Sequence, residues 1–246
     1  MRLKDRETLI IDYLRDMKEA TVKELCSELY VSEPTVRRAL SALSSQGLII
    51  RTHGGAIYRG EPGENLPLSY REREHSEAKI TIAKKCLTLI ENADTIMVDG
   101  SSSALALLKI LAPSKPLCVI TNSAKAALIL NDNNIKTFVT GGELDRESCC
   151  YVGSYAENFL RSFSADLCFF SVRTLSLSGK LTDNAIAENG VRRVMIENSK
   201  KSCLMLDSGK IGDPCLNTLS GIDAIDYIIS EKDISNYFPG HNLKFI

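Results

Sequence analysis

The chain has 246 residues, 44% hydrophobic and 25% charged, with a net charge of −1. This exceeds a typical domain of roughly 100 to 200 residues, favours one small and one larger domain, and excludes a disordered or fibrous chain. The eight cysteines, at positions 26, 86, 118, 149, 150, 168, 203 and 215, form no Cys-x-x-Cys pair and lie mostly in apolar runs. They are expected as buried thiols in a reducing cytoplasm, with no disulfide, metal or cofactor. The start, Met1-Arg2-Leu3-Lys4-Asp5-Arg6-Glu7, is charged, and no apolar run approaches about 18 residues, so neither a signal peptide nor a membrane span is expected.

Leu9, Ile10, Tyr13, Leu14 and Met17 recur at helical spacing and predict a first helix over about 3–18. Thr21-Val22-Lys23-Glu24 reads as a capping box opening a second helix, with Val22, Leu25, Cys26 and Leu29 on its buried side. Tyr30-Val31 leaves room for only a tight turn before Ser32, which can cap a third helix with Pro34 in its first turn. On that helix Val36, Ala39, Leu40 and Leu43 share one face, leaving Arg37 and Arg38 outward beside Thr35 and Ser41. Two short helices joined in this way form a helix-turn-helix whose second helix enters the major groove, although a merely solvated charged face fits the same pattern.

Leu48-Ile49-Ile50 then predicts a strand, which Gly54-Gly55 can reverse into Ala56-Ile57-Tyr58-Arg59 because glycine supplies positive φ. Three helices and a hairpin make a winged helix over residues 1–59, with Arg51, His53 and Arg59 on or beside the wing. The residues expected at DNA are Thr35, Arg37, Arg38, Ser41, Arg51, His53, Gly54 and Gly55. Residues 32–59 hold four arginines against one glutamate, which puts positive charge where a phosphate backbone would lie. His53 also fits a plain turn residue.

Glu61-Pro62-Gly63-Glu64-Asn65-Leu66-Pro67 has linker composition, and 60–75 are expected as linker and start of a connecting helix. That helix is predicted over about 69–91, with Ile80, Ala83, Leu87 and Ile90 on one side. Apolar runs at 95–98, 117–120, 135–139, 167–170, 203–206 and 227–229 alternate with helical patterns. This predicts an α/β domain over 76–246 with a mainly parallel sheet. Ligands of such sheets sit beyond the carboxyl ends of the strands. There the chain reads Asp99-Gly100-Ser101-Ser102-Ser103, Thr121-Asn122-Ser123, Gly141-Gly142-Glu143 and Asp207-Ser208-Gly209-Lys210. Together these offer donors for phosphate, close backbone approach, a cation, and carboxylates suited to sugar hydroxyls. Helix capping alone accounts for each one singly.

Val31-Ser32-Glu33-Pro34-Thr35-Val36-Arg37-Arg38, then Leu40, Leu43, Gly47, Leu48 and Arg51-Thr52-His53-Gly54-Gly55-Ala56, resemble the amino-terminal motif of DeoR-family bacterial transcriptional regulators. The resemblance continues more loosely to about residue 232 through the Asp99 loop, Val119-Ile120-Thr121-Asn122-Ser123, Thr140-Gly141-Gly142, Val152-Gly153, Asp166 with Phe169-Phe170, and Leu206-Asp207-Ser208-Gly209-Lys210. It implies a winged helix followed by an effector domain similar in fold to sugar-phosphate isomerases and deaminases. Ser101, Ser102 and Ser103 would then hold phosphate; Asp99, Asn122 and Gly142 the sugar; and Lys210 a phosphate or hydroxyl. Thr121 and Gly141 complete the rim, and Glu188 and Arg192 stand where the family has Glu and Lys. Two departures are Ala39, where the family has Asp, and Arg173, in a loop that usually contains glycine, where it can fill or reshape the pocket.

The resemblance implies a repressor that binds a double-stranded operator as a homodimer or homotetramer and is released by a phosphorylated sugar. Two alternatives stay open. One is a sugar-phosphate isomerase or deaminase using Asp99, Asp183, Glu188 and Lys210 for acid–base chemistry, against which no histidine lies in the ligand-side loops of the larger domain at Asp99, Thr121, Gly141 and Asp207. The other is a DNA-binding protein whose larger domain only oligomerises.

Overall fold

In the computed structural model, which describes residues 3–59, 66–241 and 243–246, the chain divides into two units, Met1–Tyr70 and Arg71–Ile246. The first holds α1 (Leu3–Met17), β1 (Glu19–Thr21), α2 (Val22–Leu29), α3 (Glu33–Ser45), β2 (Ile49–Arg51) and β3 (Gly55–Tyr58). Ile10 and Leu14 of α1 pack with Leu25, Val36, Leu40, Leu43 and Ile49 in one core. Leu9 and Met17 share the helical spacing but face outward, so the buried stripe of α1 is narrower than expected.

The capping box of α2 forms: Glu24 N–H donates to Thr21 Oγ at 3.1 Å and Thr21 N–H to Glu24 Oε2 at 2.7 Å. Ser32 occupies the N-cap of α3, but its hydroxyl pairs with that of Thr35 at 3.0 Å, so the expected side-chain cap does not form. Gly47, at φ 74°, closes the other end, with Leu48 N–H on Leu43 O at 3.1 Å and Gly47 N–H on Ser44 O at 3.0 Å.

The wing pairs Ile49 with Tyr58 and Arg51 with Ala56, and β1, which was not expected, adds a third strand along β3. Positive φ is not why two glycines occur here, since neither Gly54 nor Gly55 has it. Gly55 is needed because a Cβ there would lie 2.0 Å from Ala20 O across the strand pair. Most of the expected linker, residues 60–65, lies outside the described residues.

The single helix expected over 69–91 is two, α4 (Leu68–Arg73) and α5 (Ser76–Ile90), broken where His75 takes a φ of 51°. The buried face of α5 is Lys79, Ile82, Ala83, Cys86 and Ile90; Ile80, expected inside, is exposed. Then follow β4 (Thr95–Val98), α6 (Ser102–Ile110), β5 (Cys118–Thr121), α7 (Ala124–Asp132), β6 (Lys136–Val139), β7 (Glu143–Asp145), β8 (Cys150–Val152) and α8 (Ser154–Arg161). The rest are β9 (Ala165–Phe170), β10 (Thr174–Leu175), β11 (Lys180–Asp183), α9 (Ile186–Glu197), β12 (Ser199–Met205), β13 (Asn217–Gly221), β14 (Tyr227–Ile229) and β15 (Lys244–Phe245).

The six expected strands form a parallel sheet that β15 extends to seven, in the order β15-β14-β12-β9-β4-β5-β6. The chain winds outward from β4 to β6, then returns to β9 on the other side of β4 and winds out to β15. The strand order therefore reverses between β4 and β9, the place where such sheets leave a crevice at their carboxyl ends. Met97, Ile120, Cys168, Phe170 and Leu204 build the core against one face.

At the amino end of the sheet, Asp166 accepts from Asp94 N–H at 2.9 Å, Thr95 N–H at 3.0 Å and Lys200 Nζ at 2.8 Å. The Lys200 ammonium, with those two amides, holds the Asp166 carboxyl down to about 2. All eight cysteines are free thiols, but only Cys86, Cys150, Cys168 and Cys203 are buried; Cys26, Cys118, Cys149 and Cys215 are half-exposed, contrary to expectation.

Candidate functional sites

In the first unit, Arg37, Arg38 and Ser41 are exposed on α3 and Thr35 is half-buried. Glu33 Oε1 holds Arg37 through Nε at 2.7 Å and Nη2 at 2.6 Å. Ser41 Oγ donates to Arg37 O at 2.9 Å and accepts from Arg51 Nη1 at 2.8 Å, which ties α3 to the wing. Arg38 has no hydrogen bond or ion pair among the described residues. His53 and Gly54 are exposed at the wing tip, whereas Gly55, expected at DNA, is buried and serves strand packing. Ala39 is buried too, so the position where the family has Asp faces the core, and the acid that orients an arginine here is Glu33.

In the second unit the predicted loops do gather at one rim, because all the strands before them are parallel. Asp99 Oδ1 accepts from Ser101 N–H at 3.0 Å, and Ser101 Oγ accepts from Ala104 N–H at 3.2 Å to begin α6. Ser123 begins α7 in the same way, through Ala126 N–H at 3.2 Å. Thr121 Oγ is used by Ser123 N–H at 3.1 Å. Gly141 and Gly142, at φ 64° and 112°, turn the chain after β6, and a Cβ on Gly142 would lie 3.0 Å from Val152 O. Ser102 is buried in the first turn of α6.

Two atoms stand out. Among the described residues, Ser103, wholly buried, has an Oγ without a hydrogen-bond partner, and Asn122, 2% exposed, has an unpartnered Oδ1, although its Nδ2 donates to Tyr151 O at 3.0 Å.

Beside them lies a buried charge cluster. Arg192 donates through Nε to Asp99 Oδ2 at 3.0 Å, through Nη1 to Asp183 Oδ2 at 3.0 Å, and through Nη2 to Glu188 Oε2 at 2.8 Å. Burial opposes its charge, but Glu188, Asp183 and Asp99 outweigh that and hold the guanidinium above its ordinary value. Burial likewise pushes the Glu188 carboxyl up, against the pull of Arg192. Asp99 Oδ2 also accepts from Ser171 N–H at 3.3 Å, so both of its oxygens are engaged. Asp99, Glu188 and Arg192 thus come together as expected, but as a clamp that shapes the rim.

Lys210 donates to Ser171 Oγ at 2.8 Å and lies 3.8 Å from Asp207 Oδ2. Burial lowers its pKa, with Asp207 opposing. Arg173 is half-buried in the turn after β9.

Sequence reasoning missed Ser171 and Lys79. Lys79 Nζ donates to the Arg71 carbonyl and, at 2.5 Å, to Glu74 O, and burial followed by the charge of Lys210 brings its pKa to about 8. The available signal was a lysine in register with Ile82, Ala83, Cys86 and Ile90.

Residues 6–61 match the DeoR-like helix-turn-helix domain and residues 74–232 the DeoR C terminal sensor domain. The chain belongs to the DeoR family. It is 34% identical to the HTH-type transcriptional regulator GolR of Listeria innocua, across 94% of this chain and 91% of that one. It is 30% identical to the L-fucose operon activator of Haemophilus influenzae, across 93% and 92%. This DeoR-family chain is thus a DNA-binding transcriptional regulator with a sensor domain, and not an enzyme. Among solved structures, eIF2B delta from Chaetomium thermophilum shares the fold, with a TM-score of 0.50 and 16% identity over 68% of this chain and 60% of that one. No helix among the described residues is long and apolar enough to cross a membrane.

Proposed function

We propose that this regulator is a cytoplasmic repressor, released from a double-stranded operator by a phosphorylated sugar bound where β4 and β5 end. The observation that carries this reading is the pair of buried, unpartnered atoms, Ser103 Oγ and Asn122 Oδ1. Leaving a buried polar atom unpaired costs about 1–3 kcal/mol, so two of them, one in the first turn of α6 after β4 and one in the loop after β5, argue for a ligand that supplies their partners. Asn122 Oδ1 wants a donor and Ser103 Oγ can donate, which suits a hydroxylated molecule carrying an anion. The first turn of α6, with its free N–H groups, Ser101 to Ser103 and the dipole, favours the phosphate end, and Lys210 supplies a cation.

Release requires only that the ligand prefer the arrangement incompetent for DNA. In a homodimer or homotetramer two heads must meet half-sites about 34 Å apart, so a small change in spacing costs much affinity. Thermal denaturation with a panel of aldose and ketose phosphates, and the unphosphorylated sugars as controls, tests the sensing half. A phosphorylated sugar at 100 times its dissociation constant should stabilise the protein by about 2.7 kcal/mol. No stabilisation by any of them would remove that half. A promoter fusion separates repression from activation, the role named for the Haemophilus relative.

A further inference from the structure

The two adjacent arginines of α3 are not equivalent, and we propose that they divide the work: Arg38 reads a base pair, while Arg37 is held aside by Glu33 as a contact to the phosphate backbone. The buried face of α3 is Val36, Ala39, Leu40 and Leu43. At 3.6 residues per turn, Arg38 points roughly 150° from the middle of that face and Arg37 only roughly 110° from it. A recognition helix turns the side opposite its core toward the floor of the major groove and its flanks toward the walls, where the phosphates run.

The neighbours agree with that placement. Pro34, which points outward near Arg38, has no side-chain donor, and the Ser41 hydroxyl is already spent between Arg37 O and Arg51 Nη1. Arg38 is the one outward guanidinium on α3 with no partner among the described residues, so its full fork of donors can meet the O6 and N7 of a guanine. Arg37 has Nε and Nη2 committed to Glu33 Oε1 and stands on the side of α3 that Arg51 ties to the wing. An arginine fixed by a carboxylate at the edge of the groove contributes charge and position, which carries no sequence information.

The test uses the full-length protein and the duplex that the wild type enriches from a randomised pool, assayed by fluorescence anisotropy against every single-base variant of that duplex and across a salt series. Arg38→Lys keeps the charge and loses the fork. It should lose roughly five- to 150-fold of discrimination at one base pair per half-site, with the salt dependence unchanged. Arg37→Ala should weaken all duplexes alike and flatten the slope of log affinity against log salt by about 1 per head. Arg37→Lys should leave both readouts near wild type. Discrimination lost in Arg37→Lys and kept in Arg38→Lys would overturn the assignment, as would a profile unchanged in both. Both side chains are exposed on the helix, so the variants are expected to fold, and circular dichroism checks that they do.

Discussion

At the scale of single residues the sensor unit turns on Arg192, which is 3% exposed and faces three carboxylates. Removing one member of a buried ion cluster leaves the others charged and unpaired, at a cost of about 3–5 kcal/mol. Arg192→Met should therefore lower stability to urea by about that much, and a loss below about 1 kcal/mol would mean that Arg192 is not what holds the carboxylates. Lys79 makes a second test. Its folded pKa of about 8 lies below the ordinary lysine value, so the unfolded chain holds this proton more tightly. Between those two pH values its contribution to stability therefore grows as pH rises. Reductive methylation with carbon-13 NMR, the Lys79 signal being identified by its absence from Lys79→Arg, should show that lysine titrating near 8; a Lys79 signal that titrates above about 10 would mean that its burial is misassigned. Neither feature was fully legible beforehand. Arg192 and Asp99 are 93 residues apart, and no local pattern reports such a meeting. Lys79 was hidden because Ile80 beside it looked like the core residue.

Among the elements, β4, β5, β9, β12 and β14 of the parallel sheet were readable because their mostly buried residues leave continuous apolar runs, whereas the short, exposed edge strand β15 left none. The short pieces were not. β1 has three residues with only Ala20 buried, and β10, β11 and β13 are short and polar, so they carry no periodic signal. The break between α4 and α5 has neither glycine nor proline to announce it; a histidine takes the left-handed conformation instead.

α4 is fastened by Glu72, which meets Lys109 of α6 at 2.8 Å and Lys125 of α7. Burial pushes the Glu72 carboxyl up, but the hydrogen bonds from the two lysines outweigh it and leave the pKa below the ordinary value. The folded state then binds this proton more weakly than the unfolded chain, so the contribution is full above the ordinary value and is lost as pH falls through the folded one. Glu72→Gln should be less stable than wild type by about 1 kcal/mol at neutral pH, with the gap closing as pH falls below the ordinary glutamate range. A gap that persists in acid would point to packing instead of charge. In the wing, Gly55→Ala should lower the melting temperature, because its Cβ would meet Ala20 O at 2.0 Å. An unchanged melting temperature would mean that β1 can shift away from β3 at no cost.

For the molecule as a whole, the motif from Val31 to Ala56 and the loops after the strands were enough to place the chain in its family, since both are contiguous in sequence. What the residues could not give was which rim groups are occupied by the fold itself. Asp99, Glu188 and Arg192 satisfy one another, whereas Ser103 and Asn122 are left in need of partners, a difference set by the three-dimensional arrangement and not by residue type.

The most direct test of the sensing claim is a titration of the protein–operator complex with the phosphorylated sugar that raises the melting temperature most, followed by anisotropy of the labelled duplex. The wild type should let go of the duplex as the sugar is added, and Ser103→Ala should need at least about tenfold more of it, the effect of losing one hydrogen bond of about 1.4 kcal/mol. A complex that stays intact at saturating sugar, or a Ser103→Ala variant that releases at the same concentration as wild type, would contradict it.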